Sequence, residues 1–381
     1  MARGSKIKKV TGKRGVSYRT TVDVGTDPAT GKRKQKVLTA KTKQELEVLV
    51  AQTLADVSRN VYFEPAKMTV GEYLDYWLKN TNAKVEPTTY QGYEIAIRLH
   101  LKPAFGAIPL TKLTPAHVQE FLTTKAESGL APNTVSRYYE VLNHSMNHAV
   151  KWEIIPRNVC NSVDKPKVAK KEADPLTVEQ SNIIITALKG TYHEKITKVT
   201  MHTGARIGEI LALRWDDVHL DGDDPYVIVS HGLKTLKGGV VIDGAPKGKK
   251  PRRIDLEPEA VAVLRARHRE QVIEKLAIGP AYQEAGYVFC RPDGARYNPK
   301  SYGNCWSDAV LYRTGIDAHI HQVRHTAATL MLEAGVPLHE VSRMLGHASV
   351  AITGDIYGHV LPSGRREASR KLAESLAAGR K

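Results

Sequence analysis

The hydrophobic period of this chain changes partway along, and that change limits what it can fold into. Between Val16 and Gly25 (VSYRTTVDVG) β-branched and polar residues alternate, which is the period of a strand. TDPATGK supplies turn residues, RKQKVLTA (33–40) reads as a returning strand, and Thr42 caps a following helix through LEVLVAQTLADVS. From Thr69 the spacing lengthens. In TVGEYLDYWLKN the apolar residues Val70, Tyr73, Leu74 and Trp77 stand at i, i+3, i+4 and i+7, one face of a helix. EPTTYQGYEIAIRLHLKPAFG predicts a second helix, expected to stop before Pro103. TPAHVQEFLTTKAE predicts a third, with Thr114 as N-cap and Pro115 at N1, and APNTVSRYYEVLNHSMNHAVKW a fourth. From Thr177 helices dominate again, interrupted by two or three short strands in YVIVSHG and GVVIDGAPKGKKPRRIDL.

With 381 residues the chain is long enough for two or three domains. NVYFEPAKM (60–68) and the Lys- and Pro-rich DKPKVAKKEADPL (164–176) read as linkers. The expected fold class is therefore multidomain. A small α+β N-terminal domain spans 1–62, an all-α domain 67–162, and a mainly helical α+β domain with a small antiparallel sheet 173–381. No apolar run approaches the roughly 18 residues of a membrane span, and the basic N-terminus has no apolar stretch behind it. Cys160, Cys290 and Cys305 are odd in number and far apart. They suit neither a disulfide framework nor a zinc site, and they fit a reducing cytoplasm.

The formal net charge is +16. A surplus of that size favours a polyanionic partner, nucleic acid before anionic membrane. Residues 1–65 hold fourteen Lys/Arg against six Asp/Glu, half the surplus on about a sixth of the length. Lys32, Arg33, Lys34 and Lys36 cluster on the turn and strand best shaped to enter a groove, which marks them as candidate DNA contacts. Arg98, His100, Lys125, Arg137 and Lys151 are among the polar positions of the four-helix stretch.

Phosphodiester cleavage without a metal needs permanent cations, a protein nucleophile and a group to protonate the leaving oxygen. The chain has no carboxylate cluster of two-metal type and no phosphate-cradling glycine loop, so no metal or cofactor is expected. Arg206 lies in HTGARIGEI, with Gly204 and Gly208 allowing close backbone approach and Glu209 three residues on, able to orient it. His321 and Arg324 form a His-x-x-Arg whose i, i+3 spacing places both on one helix face. His347 follows Gly346, and Tyr357 lies ten residues further, in a segment that also holds His325. Each of these motifs is weak alone.

Their order is specific. Arg in a TG-x-R-x-GE context, a basic strand pair, His-x-x-Arg, Leu-Gly-His and Tyr-x-His follow one another, and over essentially its whole length the chain resembles the tyrosine recombinases, the phage integrase family. It is closest in style to integrases of actinobacterial phages and integrative plasmids. The resemblance implies the tyrosine recombinase fold, with a small arm-site-binding domain, a SAM-like core-site-binding domain and a catalytic domain. It implies Tyr357 as the nucleophile forming a 3′-phosphotyrosyl link, and Arg206 and Arg324 as phosphate-clamping arginines. His321 would be a proton-transfer or phosphate-binding group, His347 a second phosphate contact, and Glu209 a brace. A hairpin lysine is the implied general acid. PKGKKPRRIDL fits the pattern with Lys247 first, ahead of Lys249, with Lys250, Lys234 and Lys237 nearby. Position 248 is Gly rather than Thr, and the ten-residue His347–Tyr357 interval is one longer than in some relatives.

The implied partners are double-stranded DNA, at attachment core and arm sites, and a homotetramer assembled on it. A directionality factor or a DNA-bending host protein could join them without leaving a mark in this sequence. The setting is a bacterial cytoplasm, at the nucleoid. The last segment, with Leu372 and Leu376 at i, i+4, reads as a tail helix able to dock on a neighbouring protomer or simply to lie on the surface. Two rival readings remain at this level. One is a type IB topoisomerase-like nicking–closing enzyme, against which the separate basic N-terminal domain argues. The other is a non-catalytic DNA-binding regulator.

Overall fold

The computed structural model of the chain describes residues 6–12, 15–26, 33–58, 68–168, 174–245 and 250–358, with Arg370 and Glu374. The chain separates into two units, Met1–Val168 and Ala169–Lys381. Among the described residues no helix is long and apolar enough to cross a membrane.

Strands β1 (Lys8–Gly12), β2 (Gly15–Thr26) and β3 (Arg33–Ala40) form an antiparallel sheet in the order β1-β2-β3. Helix α1 (Lys43–Ser58) covers one face and completes a core of Val22, Leu38 and Leu46. Thr42 caps it as the sequence predicts: Glu45 N–H donates to Thr42 Oγ1 at 3.2 Å and the Glu45 carboxylate accepts from Thr42 N–H at 3.3 Å. The register pairs Val22 with Lys36 and Thr20 with Leu38, so Lys36 shares the face that α1 covers. Arg33, with Gln35, Val37 and Thr39, lies on the open face, and its Nε pairs with Asp23 at 3.2 Å. The basic run therefore does not act as one patch. Strand alternation divides it, and Lys32 lies outside the described residues.

Helix α2 (Val70–Thr81) buries Val70, Tyr73, Leu74 and Trp77 completely, the face its spacing predicts. Helix α3 (Pro87–Ala96) passes through a π turn (Ile97–Leu101) directly into α4 (Lys102–Phe105). The expected stop before Pro103 is thus corrected. The π turn makes Lys102 N–H donate to Ile97 O, five residues back, and Pro103 falls in the first turn of the renewed α-helix, where a missing N–H costs little. Helix α5 (Pro115–Glu127) starts at Thr114 and Pro115 as predicted, and α6 (Pro132–Lys151) closes the bundle. Tyr73 Oη donates to Ser145 O at 2.6 Å and Trp77 Nε1 to His148 Nδ1 at 2.7 Å, binding α2 to α6 through their buried faces.

In the second unit α7 (Val178–Ala187), α8 (Tyr192–Thr203) and the single turn α9 (Ile207–Ile210) precede the strands. Among the described residues of this unit the strands are five rather than two or three. They are β4 (Val218–His219), β5 (Tyr226–Val229), β6 (Gly232–Thr235), β7 (Val241–Gly244) and β8 (Arg252–Asp255). They form two small antiparallel sheets, β4-β5-β8 and β6-β7. Helices α10 (Pro258–Ile278), α11 (Pro299–Thr314), α12 (Ile320–Glu333), α13 (Leu338–Leu345) and α14 (Val350–Tyr357) follow. Trp306, fully buried on α11, donates Nε1–H to Thr197 Oγ1 at 2.8 Å, and Leu176 N–H donates to Thr326 Oγ1 at 2.8 Å. The first bond ties α11 to α8, and the second ties the segment before α7 to α12. The expected tail helix carrying Leu372 and Leu376 lies outside the described residues.

Gly208 sits where strand β6 passes closest to α9, and a Cβ there would stand 2.5 Å from Leu233 O. Gly208→Ala is therefore expected to push β6 away and to destabilise the second unit by about 1–3 kcal/mol, read as a lower midpoint in denaturant unfolding.

Candidate active site

Arg206 occupies the N-cap position of α9, in extended backbone conformation just after the loop that ends α8. Its own N–H and its Nη1 donate to the two oxygens of Glu209, each at 3.0 Å. A one-turn helix with the carboxylate at N3 holds the guanidinium this way, because Glu209 folds back over the helix start. Glu209 is only 4 % exposed, and its Oε2 takes a second arginine: Arg252 Nη2 donates to it at 2.6 Å. Burial pushes the Glu209 carboxyl up. The hydrogen bond and charge of Arg252, the Arg206 backbone N–H and the Arg206 charge outweigh that and hold it below the usual carboxylate range.

Arg252 reaches in from the start of β8. Its Nε donates to Met344 O at 2.9 Å, in the last turn of α13. Gly346, in the left-handed region at φ 66°, ends α13 beneath it, and a Cβ there would stand 2.8 Å from Arg252 Nη1. Only glycine fits both the backbone and the guanidinium.

Arg324 lies on α12 and is 2 % exposed. Its Nη1 donates to Gly204 O at 2.8 Å and its Nη2 to Leu345 O at 2.9 Å, so it ties the end of α8 to the end of α13. Nη2 also meets His347 Nε2 at 3.0 Å. A guanidinium only donates, so His347 Nε2 accepts and its proton sits on Nδ1, which donates to Thr353 Oγ1 at 2.7 Å. Burial, then the Arg206 charge, lowers the Arg324 pKa to about 9. Burial, then the Arg324 and Arg206 charges, lowers His347 to about 4.

Tyr357 ends α14 and is 1 % exposed, packed among Ala328, Leu332, Val341 and Leu345. Burial raises its pKa to about 12, against the pull of the Arg324 and Arg206 charges, so the phenol lies within the field of both guanidiniums. Its hydroxyl meets His325 Nδ1 at 2.6 Å. His321 is exposed on the first turn of α12, and its ring packs edge-on against His325 with centroids 4.7 Å apart. Although His321 and Arg324 share a side of the helix, burial separates them: Arg324 is walled in and His321 stands at the rim.

The fold thus gathers Arg206, Glu209, Arg324, His347 and Tyr357 from positions up to about 150 residues apart in the sequence. Lys247 and Lys249 lie outside the described residues. Two members were missed from sequence. Arg252 shares the inward face of β8 with the buried Ile254, a signal present in the alternation of PRRIDL. His325 directly follows Arg324, and nothing in its spacing tells that it faces Tyr357.

With that geometry in view, residues 175–363 match the phage integrase family and residues 69–126 the N-terminal SAM-like domain of phage integrases. The chain is 28 % identical over 349 residues to an integrase of Streptomyces ambofaciens, covering 88 % of each. It is 24 % identical over 368 residues to the ICEBs1 integrase of Bacillus subtilis, covering 94 % of this chain and 97 % of that one. Among solved structures it is similar to the Tn1549 transposon integrase in complex with transposon right end DNA, with a TM-score of 0.67 at 20 % identity over 81 % of this chain and 100 % of that one. A lambda integrase dimer bound to a COC′ core site superposes with a TM-score of 0.56 at 15 % identity over 91 % and 93 % of the two chains. The chain belongs to the phage integrase family. It is a site-specific tyrosine recombinase with the fold of that class.

The pKa shifts fix a pH dependence. His347, and His193, which burial followed by the Arg313 charge holds to about 4, stay neutral when folded but titrate near 6.5 when unfolded. As pH falls through that window the unfolded chain takes up protons the folded chain refuses, so stability present above pH 6.5 is lost toward pH 4. Glu209 adds to the loss at the acid end. The expected fall is on the order of 1–3 kcal/mol, read as a declining Tm. His347→Asn should flatten part of the slope.

Proposed function

We propose that the chain cuts and rejoins DNA at attachment sites, with Tyr357 as nucleophile, and integrates or excises a mobile element. The observation that carries this is the burial of the Tyr357 phenol within the field of both Arg206 and Arg324. Two guanidiniums can hold the non-bridging oxygens of a phosphodiester and absorb the charge that grows as a fifth oxygen approaches phosphorus. Attack by the phenol oxygen leaves a 3′-phosphotyrosyl link and a free 5′-hydroxyl. That link keeps the energy of the broken bond, so rejoining to another 5′-hydroxyl needs no ATP.

In this reading Glu209 braces Arg206, and His347 orients Arg324 until a phosphate oxygen competes for the guanidinium. His321 reaches the DNA backbone from the rim, and Lys247, in the sequence between β7 and β8, protonates the leaving 5′-oxygen. Residues 1–62 bind arm sites through the open sheet face that carries Arg33, 67–162 bind the core site, and 173–381 carry the chemistry. Recombination proceeds in a homotetramer, in the cytoplasm of a bacterial host and at its nucleoid. The lambda integrase tetramer bound to a Holliday junction, a structural neighbour, supports that assembly.

Incubated without metal or ATP with a nicked suicide substrate bearing its core site, the protein should form a covalent adduct at a 3′ end, seen on denaturing gels. Tyr357→Phe should abolish the adduct. An adduct that survives this change assigns the nucleophile elsewhere. Removal of residues 1–62 should abolish integrative recombination while isolated core sites are still cleaved. Equal loss of both activities would refute the arm-binding assignment.

A further inference from the structure

We propose that His325 is the group that takes the phenol proton as Tyr357 attacks the scissile phosphate. This rests on Tyr357 being the nucleophile. The geometry carries it: Tyr357 Oη and His325 Nδ1 are 2.6 Å apart, a short O–H···N contact at the atom that must lose its proton. A neutral phenol has one hydrogen to donate, and in the tautomer this role requires, with the ring proton on Nε2, Nδ1 presents its lone pair to it.

The other two histidines of the site are less suited. His347 offers Nε2 to Arg324 and its Nδ1–H to Thr353. His321 is exposed at the rim and touches the His325 ring edge-on. Among the described histidines, His325 is the one placed at the reacting oxygen, on the helix that also carries Arg324. Around it stand His321 on α12, whose ring it meets edge-on, and His347, at which its charge registers.

In the step itself the Oη–H bond breaks and its proton moves to His325 Nδ1, giving an imidazolium. The Oη–P bond forms, the P–O5′ bond breaks, and the 5′-oxygen takes a proton from the hairpin lysine. The phosphate, with its growing negative charge, offsets the new cation among the arginines. Religation runs in reverse: the imidazolium returns its proton to the departing phenolate.

The test uses the full chain on nicked suicide substrates that carry either the normal 5′-oxygen or a bridging 5′-sulfur at the scissile bond. Sulfur leaves without protonation, so it relieves loss of the general acid and not loss of the proton acceptor at Tyr357. His325→Asn keeps a hydrogen-bond acceptor near the Nδ1 position but cannot take the proton. It should slow adduct formation about 10²–10⁴-fold on both substrates, with DNA affinity in mobility shifts unchanged. Lys247→Ala should recover on sulfur. His325→Asn cleaving within about threefold of wild type would overturn the proposal. So would recovery of that variant on sulfur, or a parallel loss of DNA affinity in both His325→Asn and His325→Gln. An adduct persisting in Tyr357→Phe would instead overturn the underlying nucleophile assignment.

Discussion

One buried carboxylate holds this site together. Glu209 stands between Arg206 and Arg252, accepting from both, and the charges of these two arginines register at Arg324. Like-charged guanidiniums at such range repel, and a buried ion pair survives only when every donor and acceptor is matched. Glu209 matches two arginines and the Arg206 backbone N–H at once. Arg324 is matched differently, by the carbonyls of Gly204 and Leu345. Those bonds satisfy its N–H groups but bring no counter-charge, and burial, then the Arg206 charge, lowers its pKa to about 9. The site is therefore short of negative charge by design of its partners. A phosphodiester supplies what is missing.

The same bonds dictate the surrounding fold. Arg252 binds the end of α13 from β8, Arg324 binds it from α12, and Gly346 has no side chain because Arg252 occupies the space. Elements 92 residues apart in sequence meet at α13's last turn. His347 leaves that turn already oriented, gripped by Arg324 on one nitrogen and Thr353 on the other.

Much of this was legible in the sequence, for identifiable reasons. The periodic helix α2 declared its buried face, because packing and periodicity agree there. Thr42, Thr69 and Thr114 lead helices with cap bonds in place. Pro103 misled because a π turn upstream shifted the hydrogen-bond register, and a local proline rule cannot see that shift. The ordered motif set placed Arg206, Glu209, Arg324, His347 and Tyr357 in one site. It overlooked Arg252, whose role depends on which face of a four-residue strand turns inward, and His325, whose partner lies two helices away. Lys36 shows a further limit of reading a basic run along a chain, since neighbouring strand residues alternate between faces.

The adjacency of Arg324 and His325 has a physical logic. Successive helix residues diverge by about 100°, so one turn of α12 can send a guanidinium toward phosphate and an imidazole toward phenol. The cations that would favour a phenolate are the same ones a bound phosphate neutralises. Before DNA arrives, burial keeps the Tyr357 proton in place, its pKa about 12 despite both arginines. After DNA arrives, much of the arginines' field is spent on the phosphate. In neither state does the local potential favour a free phenolate at neutral pH, so proton loss must accompany attack rather than precede it. A concerted loss needs an acceptor already touching the phenol oxygen. That requirement, more than the cluster of cations, explains why a buried tyrosine and the histidine beside Arg324 should be in contact.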